Sequence, residues 1–139
     1  MTRVRDDVLP ELMAGLFGRI RAELSDGTMG DLRMSHVRVL AAVPPDGINV
    51  TELARRAGMT KQGCGQFVTH LAANGHLVTS PDSADGRVRL VFRTVTGDRF
   101  MRDVYAALER IEVEFAAQVG QRRFATFKKV MSELAGQSG

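Results

Sequence analysis

The sequence has few cysteines and no long apolar stretch, and both absences narrow the class of protein. A single cysteine among 139 residues cannot form a disulfide within the chain, so a reducing compartment is expected. No apolar run approaches the ~18 residues that a membrane span needs. The amphipathic N-terminal region also lacks the unbroken apolar core of a signal peptide. We therefore expect a cytoplasmic protein.

Catalytic and metal-binding patterns are missing as well. The sequence shows no nucleophile with a base and an orienting partner, and no glycine-rich phosphate loop. His36, His70 and His76 fall in three different predicted elements without the spacing of a zinc site. Cys64 lies on an apolar helix stripe and is predicted to be a core residue rather than a redox sensor. We therefore predict no enzyme, no metal and no cofactor.

The charges are distributed unevenly along a chain of otherwise ordinary composition. Hydrophobic residues make up 44% and charged residues 25%, which is typical of a folded single domain of this length. Eight basic and four acidic residues lie between Val50 and Arg102, against eleven and twelve in the two flanks together. A basic centre between near-neutral flanks suits a region that binds a polyanion, although a solvated surface has the same composition.

Helical periodicity dominates both flanks. Apolar residues repeat at intervals of three and four in four segments, which predicts four amphipathic or buried helices. These segments are Val8–Leu24, Asp31–Val43, Asp98–Val119 and Arg122–Leu134. The run of two prolines, aspartate and glycine at 44–47 ends the second segment, because proline cannot continue a helix.

The centre of the chain combines two short helices with a predicted hairpin. Thr51 is the expected N-cap of a helix that ends at Gly58, and Thr60 opens a second helix that ends near Asn74. Two strands follow, His76–Thr79 and Arg87–Phe92, separated by a segment rich in turn-forming residues. This order predicts a mainly α fold with a small β-hairpin wing: a winged helix-turn-helix.

Particular motifs in this region resemble the MarR family of multiple-antibiotic-resistance regulators. They are Thr51-Glu52-Leu53-Ala54, Thr60-Lys61-Gln62, Asn74-Gly75-His76-Leu77-Val78 and the wing pattern Asp82-x-x-Asp85-x-Arg87. The resemblance implies one domain over 1–139, with a DNA-binding region at 46–102 and helical dimerisation regions at 1–45 and 103–139. It also implies a homodimer that binds a pseudo-palindromic DNA operator, usually as a repressor released by a small aromatic or lipophilic effector.

The sequence departs from the family pattern at the wing and in the recognition helix. Gly86 stands where many relatives carry a basic residue at the wing tip, and Ser80-Pro81 replaces a common arginine. Gly63 and Gly65 each cost about 1 kcal/mol relative to alanine inside a helix. These glycines either allow close approach to DNA or weaken the reading helix.

The residues expected to contact DNA lie on the outer face of the second helix and on the wing. Gln62 and Gln66 suit base edges, and Lys61 suits a phosphate. Arg87 either enters a minor groove or stabilises the wing by pairing with Asp85, and the two roles are compatible. The complete predicted set is Thr60, Lys61, Gln62, Gly63, Gln66, Thr69, His70, Arg87 and Arg89.

A possible effector pocket and one alternative function remain open at this point. The crevice between the dimerisation helices and the DNA-binding region is the default place for an effector. Residues expected to line it are Met13, Phe17, Met34, His36, Val37 and Arg38, although such a stripe is also typical of plain core. The alternative function is a winged-helix protein-interaction module that has no specific DNA readout.

Overall fold

A computed structural model describes residues 7–25, 27–82, 84 and 86–136 of the chain. Within these residues the fold is mainly helical, with six helices and three short strands. In chain order they are α1 (Leu9–Leu24), α2 (Met34–Ala42), β1 (Ile48–Asn49), α3 (Val50–Ala57), α4 (Lys61–Ala73), β2 (Leu77–Pro81), β3 (Arg89–Arg93), α5 (Val95–Val119) and α6 (Gln121–Leu134). None of these helices combines the length and the hydrophobicity that a membrane crossing requires.

The chain divides into two compact units. Of the described residues, the first unit contains 7–24 and 105–136, and the second contains those between 25 and 104. Helix α2 lies in the second unit, where it packs against α3 and α4. The assignment of particular segments to dimerisation stays a prediction.

Apolar side chains from α2, α3 and α4 form the core of the second unit. Leu40 on α2, Leu53 on α3 and Leu71 on α4 are fully buried. Burying a leucine side chain stabilises a fold by about 1.5–3 kcal/mol, so these three residues contribute strongly to holding the helices together. Cys64 is also fully buried, in agreement with its predicted place on the apolar stripe.

The strands form one small antiparallel sheet in the order β1-β3-β2. β2 and β3 form the hairpin, in which Leu77 lies opposite Arg93 and Pro81 lies opposite Arg89. Both strands begin one or two residues later than the sequence predicts. The two-residue strand β1, which pairs Ile48 with Val91, was not predicted, because so short a segment carries no detectable alternation.

The start of α5 is fixed to the base of the hairpin by a network around Thr94. The Thr94 hydroxyl accepts a hydrogen bond from Gly97 N–H at 3.0 Å and donates one to the Gly75 carbonyl at 2.5 Å. The carbonyl of His76 accepts the Thr94 N–H at 3.1 Å. Because this hydroxyl caps the helix, α5 starts at Val95, three residues before the predicted start.

The first unit contains α1, the C-terminal part of α5, and α6. Its buried apolar residues include Leu24, Ala107, Ile111 and Phe115. The Arg19 guanidinium lies 4.6 Å from the centre of the Phe115 ring, which is within cation–π range. On α6 no residue is buried, and Phe127, Val130, Met131 and Leu134 are all exposed.

Candidate nucleic-acid interface

The first helix of the helix-turn-helix is capped at both ends. The Asn49 side-chain oxygen accepts the Glu52 N–H at 2.8 Å, so Asn49 is the N-cap and the prediction of Thr51 was wrong. The sequence carried the signal, since asparagine followed three residues later by glutamate is a helix-start pattern. At the other end Gly58 adopts a left-handed conformation (φ 68°), and its N–H bonds to the carbonyls of Ala54 and Arg55.

Thr60 determines where the recognition helix α4 begins. Its hydroxyl accepts the Gly63 N–H at 3.0 Å, which confirms the predicted N-cap. A side chain at position 63 would place a Cβ only 3.0 Å from that hydroxyl oxygen, so glycine suits this tight cap. The first turn of α4 contains Lys61 and no acidic residue. The positive end of the helix dipole is therefore available to an anion such as a DNA phosphate.

The outer face of α4 is polar and carries no carboxylate. Cys64, Val68 and Leu71 point into the core, whereas five of the predicted contact residues are exposed: Lys61, Gln62, Gln66, Thr69 and His70. Gly63 is half-buried beneath the Thr60 cap. The Thr69 hydroxyl donates to the Gly65 carbonyl at 3.0 Å, so it can offer only acceptor capacity to an outside partner. The structure thus brings the predicted recognition residues onto one accessible surface.

The three histidines, which the sequence placed in separate elements, converge at the end of α4. The His36 ring lies 5.0 Å from the His70 ring and meets the Phe67 ring edge-on at 5.2 Å. His76 packs edge-on against Phe100 at 5.4 Å. Burial lowers the pKa values of His36 and His76, and His70 lowers both further. Sequence spacing gave no sign of this arrangement, because it depends on α2 packing under α4.

The wing, residues 77–93, presents Arg87 and Arg89 on its surface. The Arg89 guanidinium donates to the Thr79 hydroxyl across the hairpin at 3.0 Å, which orients that side chain. Arg87 is exposed in the turn before β3. Asp85 lies outside the described residues, so the predicted Arg87–Asp85 pair stays a prediction.

Arg93 at the base of the wing has a structural role that the sequence did not reveal. Its Nη1 donates to the Leu40 carbonyl at the end of α2 at 3.1 Å, and its Nε lies 2.9 Å from an Asp98 carboxylate oxygen on α5. One guanidinium therefore joins β3 to two helices of the same unit. The position of the wing base is fixed by this bond as well as by sheet pairing.

The two arginines of α3 are partly neutralised. Arg55 forms a hydrogen-bonded ion pair with Glu52, and Arg56 approaches the same carboxylate at 3.7 Å. The hydrogen bond from Arg55 is the main cause that lowers the pKa of Glu52. This pairing favours the interpretation of this surface as a solvated helix face.

The predicted effector-pocket residues lie in both compact units. Met13 and Phe17 lie on α1 and are each 47% exposed. The other four lie on or next to the buried side of α2 and range from buried to exposed: Met34, His36, Val37 and Arg38. That the two groups of residues line one pocket stays a prediction. Among the described residues, no group of three histidine, cysteine or acidic side chains could hold a metal ion.

Comparisons with known proteins agree with this geometry. A sequence profile of the MarR family matches residues 31–88, from the turn before α2 to the wing. No curated protein matches the chain by sequence.

Among solved structures the chain is similar to the PcaV transcriptional regulator from Streptomyces coelicolor in complex with its natural ligand, with 22% identity, a TM-score of 0.72 and coverage of 98% of each chain. It is similar to CouR from Rhodococcus jostii RHA1 bound to p-coumaroyl-CoA, with 18% identity, a TM-score of 0.74 and coverage of 99% of each chain. It also resembles the transcriptional repressor CouR bound to a 23-mer DNA duplex, with 17% identity, a TM-score of 0.78 and coverage of 96% of this chain and 99% of that chain. At these identities the likeness establishes the winged-helix fold.

Proposed function

We propose that the chain is a member of the MarR family and a dimeric transcriptional regulator that binds a specific DNA sequence. The observation that carries this proposal is the outer face of α4. It is capped by Thr60, begins with Lys61, contains no carboxylate and exposes Gln62 and Gln66. A helix of this kind fits the major groove, where side-chain amides bind base edges.

Each group of contacts has a separate task. Gln62 and Gln66 read bases, because a side-chain amide forms two hydrogen bonds with adenine in the major groove. Thr60 and Lys61 hold a phosphate at the N-terminus of α4 and so fix the register of the protein on the duplex. Arg87 and Arg89 extend from the wing to the adjacent minor groove.

The dimer is proposed from the exposed apolar surface of the first unit. Large side chains exposed on α1 include Leu9, Leu12, Met13 and Phe17, and α6 exposes four more. A monomer rarely leaves so much apolar surface in contact with water. A second copy that covers these helices would place two recognition helices on half-sites about 34–36 Å apart.

An effector is proposed on the precedent of two structures that share this fold. PcaV was solved with its natural ligand and CouR with p-coumaroyl-CoA. We place the effector of this chain near α2, with Met34, Val37 and Arg38 as candidate contacts. Arg38 is exposed and cationic, so an aromatic or aliphatic carboxylate fits this surface better than a neutral ligand. Repression released by such a ligand is the corresponding mode of action.

Duplex binding tests the proposed function directly. Selection from a random duplex library, followed by titration of the selected site over a salt series, should give an affinity that falls steeply with salt. Gln66→Ala should cost about 1–3 kcal/mol on the selected site and relax its sequence preference. Arg87→Ala should weaken binding to all duplexes and reduce the salt slope by about one.

The matched controls are Gln118→Ala and Arg110→Ala, which change exposed residues of the same types on α5 in the first unit. Both should leave duplex affinity close to that of the unchanged protein. Failure to select any sequence, together with salt-independent binding, would refute the regulator and favour the protein-interaction module.

A further inference from the structure

His36 is buried directly against the recognition helix, although it belongs to α2. Its side chain is 8% exposed, and its ring lies 5.0 Å from the ring of His70, one of the exposed residues on the proposed DNA-binding face. Phe67, on the same helix, meets the His36 ring edge-on. The His36 ring therefore packs directly against the last two turns of α4.

The neutral form of His36 is the form that fits its surroundings. Its Nδ1 accepts the Arg33 N–H at 2.9 Å, and this bond forms part of the cap at the start of α2. An imidazolium carries hydrogen on both nitrogens, so after protonation Nδ1 would face the Arg33 N–H as a second donor. Protonation thus removes the cap bond at the same moment that it adds a buried charge.

The charged groups around His36 oppose its protonation. Burial is the main cause that lowers its pKa, followed by His70 on α4, Arg33 at the start of α2 and His76 before β2. All three of these groups are cationic when protonated.

Lys61 lies at the far end of α4 from His70, and several other charged groups on elements packed against α2 are paired with each other. On α3, Glu52 pairs with Arg55 and Arg56. At the end of α2, Arg93 pairs with Asp98 while it bonds the Leu40 carbonyl. None of these groups is among those that shift the pKa of His36.

His70 is itself held in a defined orientation. Its Nε2 lies 3.1 Å from the Asn74 amide nitrogen, which acts as the donor, so the ring hydrogen of neutral His70 is on Nδ1. An N–H at this position can donate to a base edge or a phosphate oxygen. A charge appearing on His36 would repel a proton on His70 and disturb this orientation.

We propose that His36 is a positioning residue through which acid weakens DNA binding: in its neutral form it caps α2 and supports His70, and its protonation releases both. The inference rests on the proposed function, because it describes regulation of the same recognition surface. Protonation of His36 and DNA binding by α4 are then coupled, because α2 packs against α4. By the same coupling, DNA binding must make the protonation of His36 less favourable.

The test compares His36→Gln with the unchanged chain at pH 7.5 and pH 5.5 on the selected duplex. Glutamine keeps a neutral oxygen acceptor for the Arg33 N–H at both pH values but cannot titrate. We expect similar affinities at pH 7.5. Between pH 7.5 and 5.5 the unchanged chain should lose affinity relative to His36→Gln, by at most about ten-fold for a histidine that titrates below about 6.5. Identical pH profiles would overturn the inference while leaving the DNA-binding function intact, whereas no binding at pH 7.5 would overturn both.

A second measurement keeps the inference testable if His36→Gln folds poorly. Ring-proton NMR titration of the full-length chain follows His36 directly, with and without duplex. We expect its titration midpoint below the usual histidine value of about 6.5, a further decrease when duplex is bound, and an increase in His70→Gln. A midpoint that duplex leaves unchanged would show that the two sites are not coupled and would overturn the proposal.

Discussion

Replacing Gly97 by alanine should destabilise the second unit through a single steric contact. A Cβ at this position would lie 2.1 Å from the His76 carbonyl oxygen and 3.1 Å from its carbonyl carbon. The atoms it meets are backbone, so no side-chain rotation relieves the clash. The His76 carbonyl also accepts the Thr94 N–H, and moving it would weaken the link between the hairpin base and α5.

The cost follows from the size of the displacement. An ordinary contact needs more than 3 Å, so the strand base and the helix must separate by about 1 Å. Overpacking of this kind costs about 1–3 kcal/mol, and a weakened backbone hydrogen bond adds about 0.5–1.5 kcal/mol. The higher helix propensity of alanine offsets up to about 1 kcal/mol of this destabilisation. The expected net loss is about 2–3 kcal/mol, a large part of a typical stability of 5–15 kcal/mol.

Urea denaturation followed by circular dichroism measures this difference. Gly65→Ala is the matched control, because a Cβ there meets nothing within 4 Å and the position lies inside α4. That variant should be more stable than the unchanged chain by up to about 1 kcal/mol. If Gly97→Ala were as stable as the unchanged chain, the close approach of the His76 carbonyl to α5 would be incorrect.

Two further predictions concern a cap and a thiol. Asn49→Ala should lower the free energy of unfolding by about 1 kcal/mol, because it removes the acceptor for the Glu52 N–H, whereas Asn49→Asp should stay close to the unchanged chain. Urea denaturation measures both variants, and an unaffected Asn49→Ala would contradict the cap. Cys64 is fully buried, and burial raises the pKa of its thiol, so a thiol reagent at pH 8 should react only as fast as the chain opens. Rapid reaction in the absence of denaturant would contradict its place in the core.

The parts of the fold that depend on local sequence could be predicted. Thr60 and Gly58 mark helix ends because their side chains, or the lack of one, act within four residues. The burial of Cys64 followed from its place among apolar residues at helical spacing. The exposure of the outer face of α4 was predictable for the same reason, since one face of a helix is set by its period.

Contacts between distant parts of the sequence within the second unit could not be predicted from sequence patterns. Arg93 followed the predicted strand Arg87–Phe92 without an assigned role, yet it bonds the end of α2. Gly97 preceded the predicted start of the helix at Asp98, whereas it lies inside α5, where only glycine allows the close approach to His76. The His36–His70 pair depends on packing between α2 and α4, and the two histidines are more than thirty positions apart, so no local spacing reports it.

The lack of any buried residue on α6 has a consequence for how the amount of protein in a cell affects its behaviour. A helix with no buried residue in its own chain gains little from folding alone, so in the proposed dimer its order would depend on the second copy. Dilution should then loosen α6 and lower the melting temperature, as mass action requires for a folded state stabilised by association. If the proposed dimer is the form that binds DNA, its concentration would fall more steeply than the total concentration of the chain, and occupancy of its DNA sites would fall in the same way.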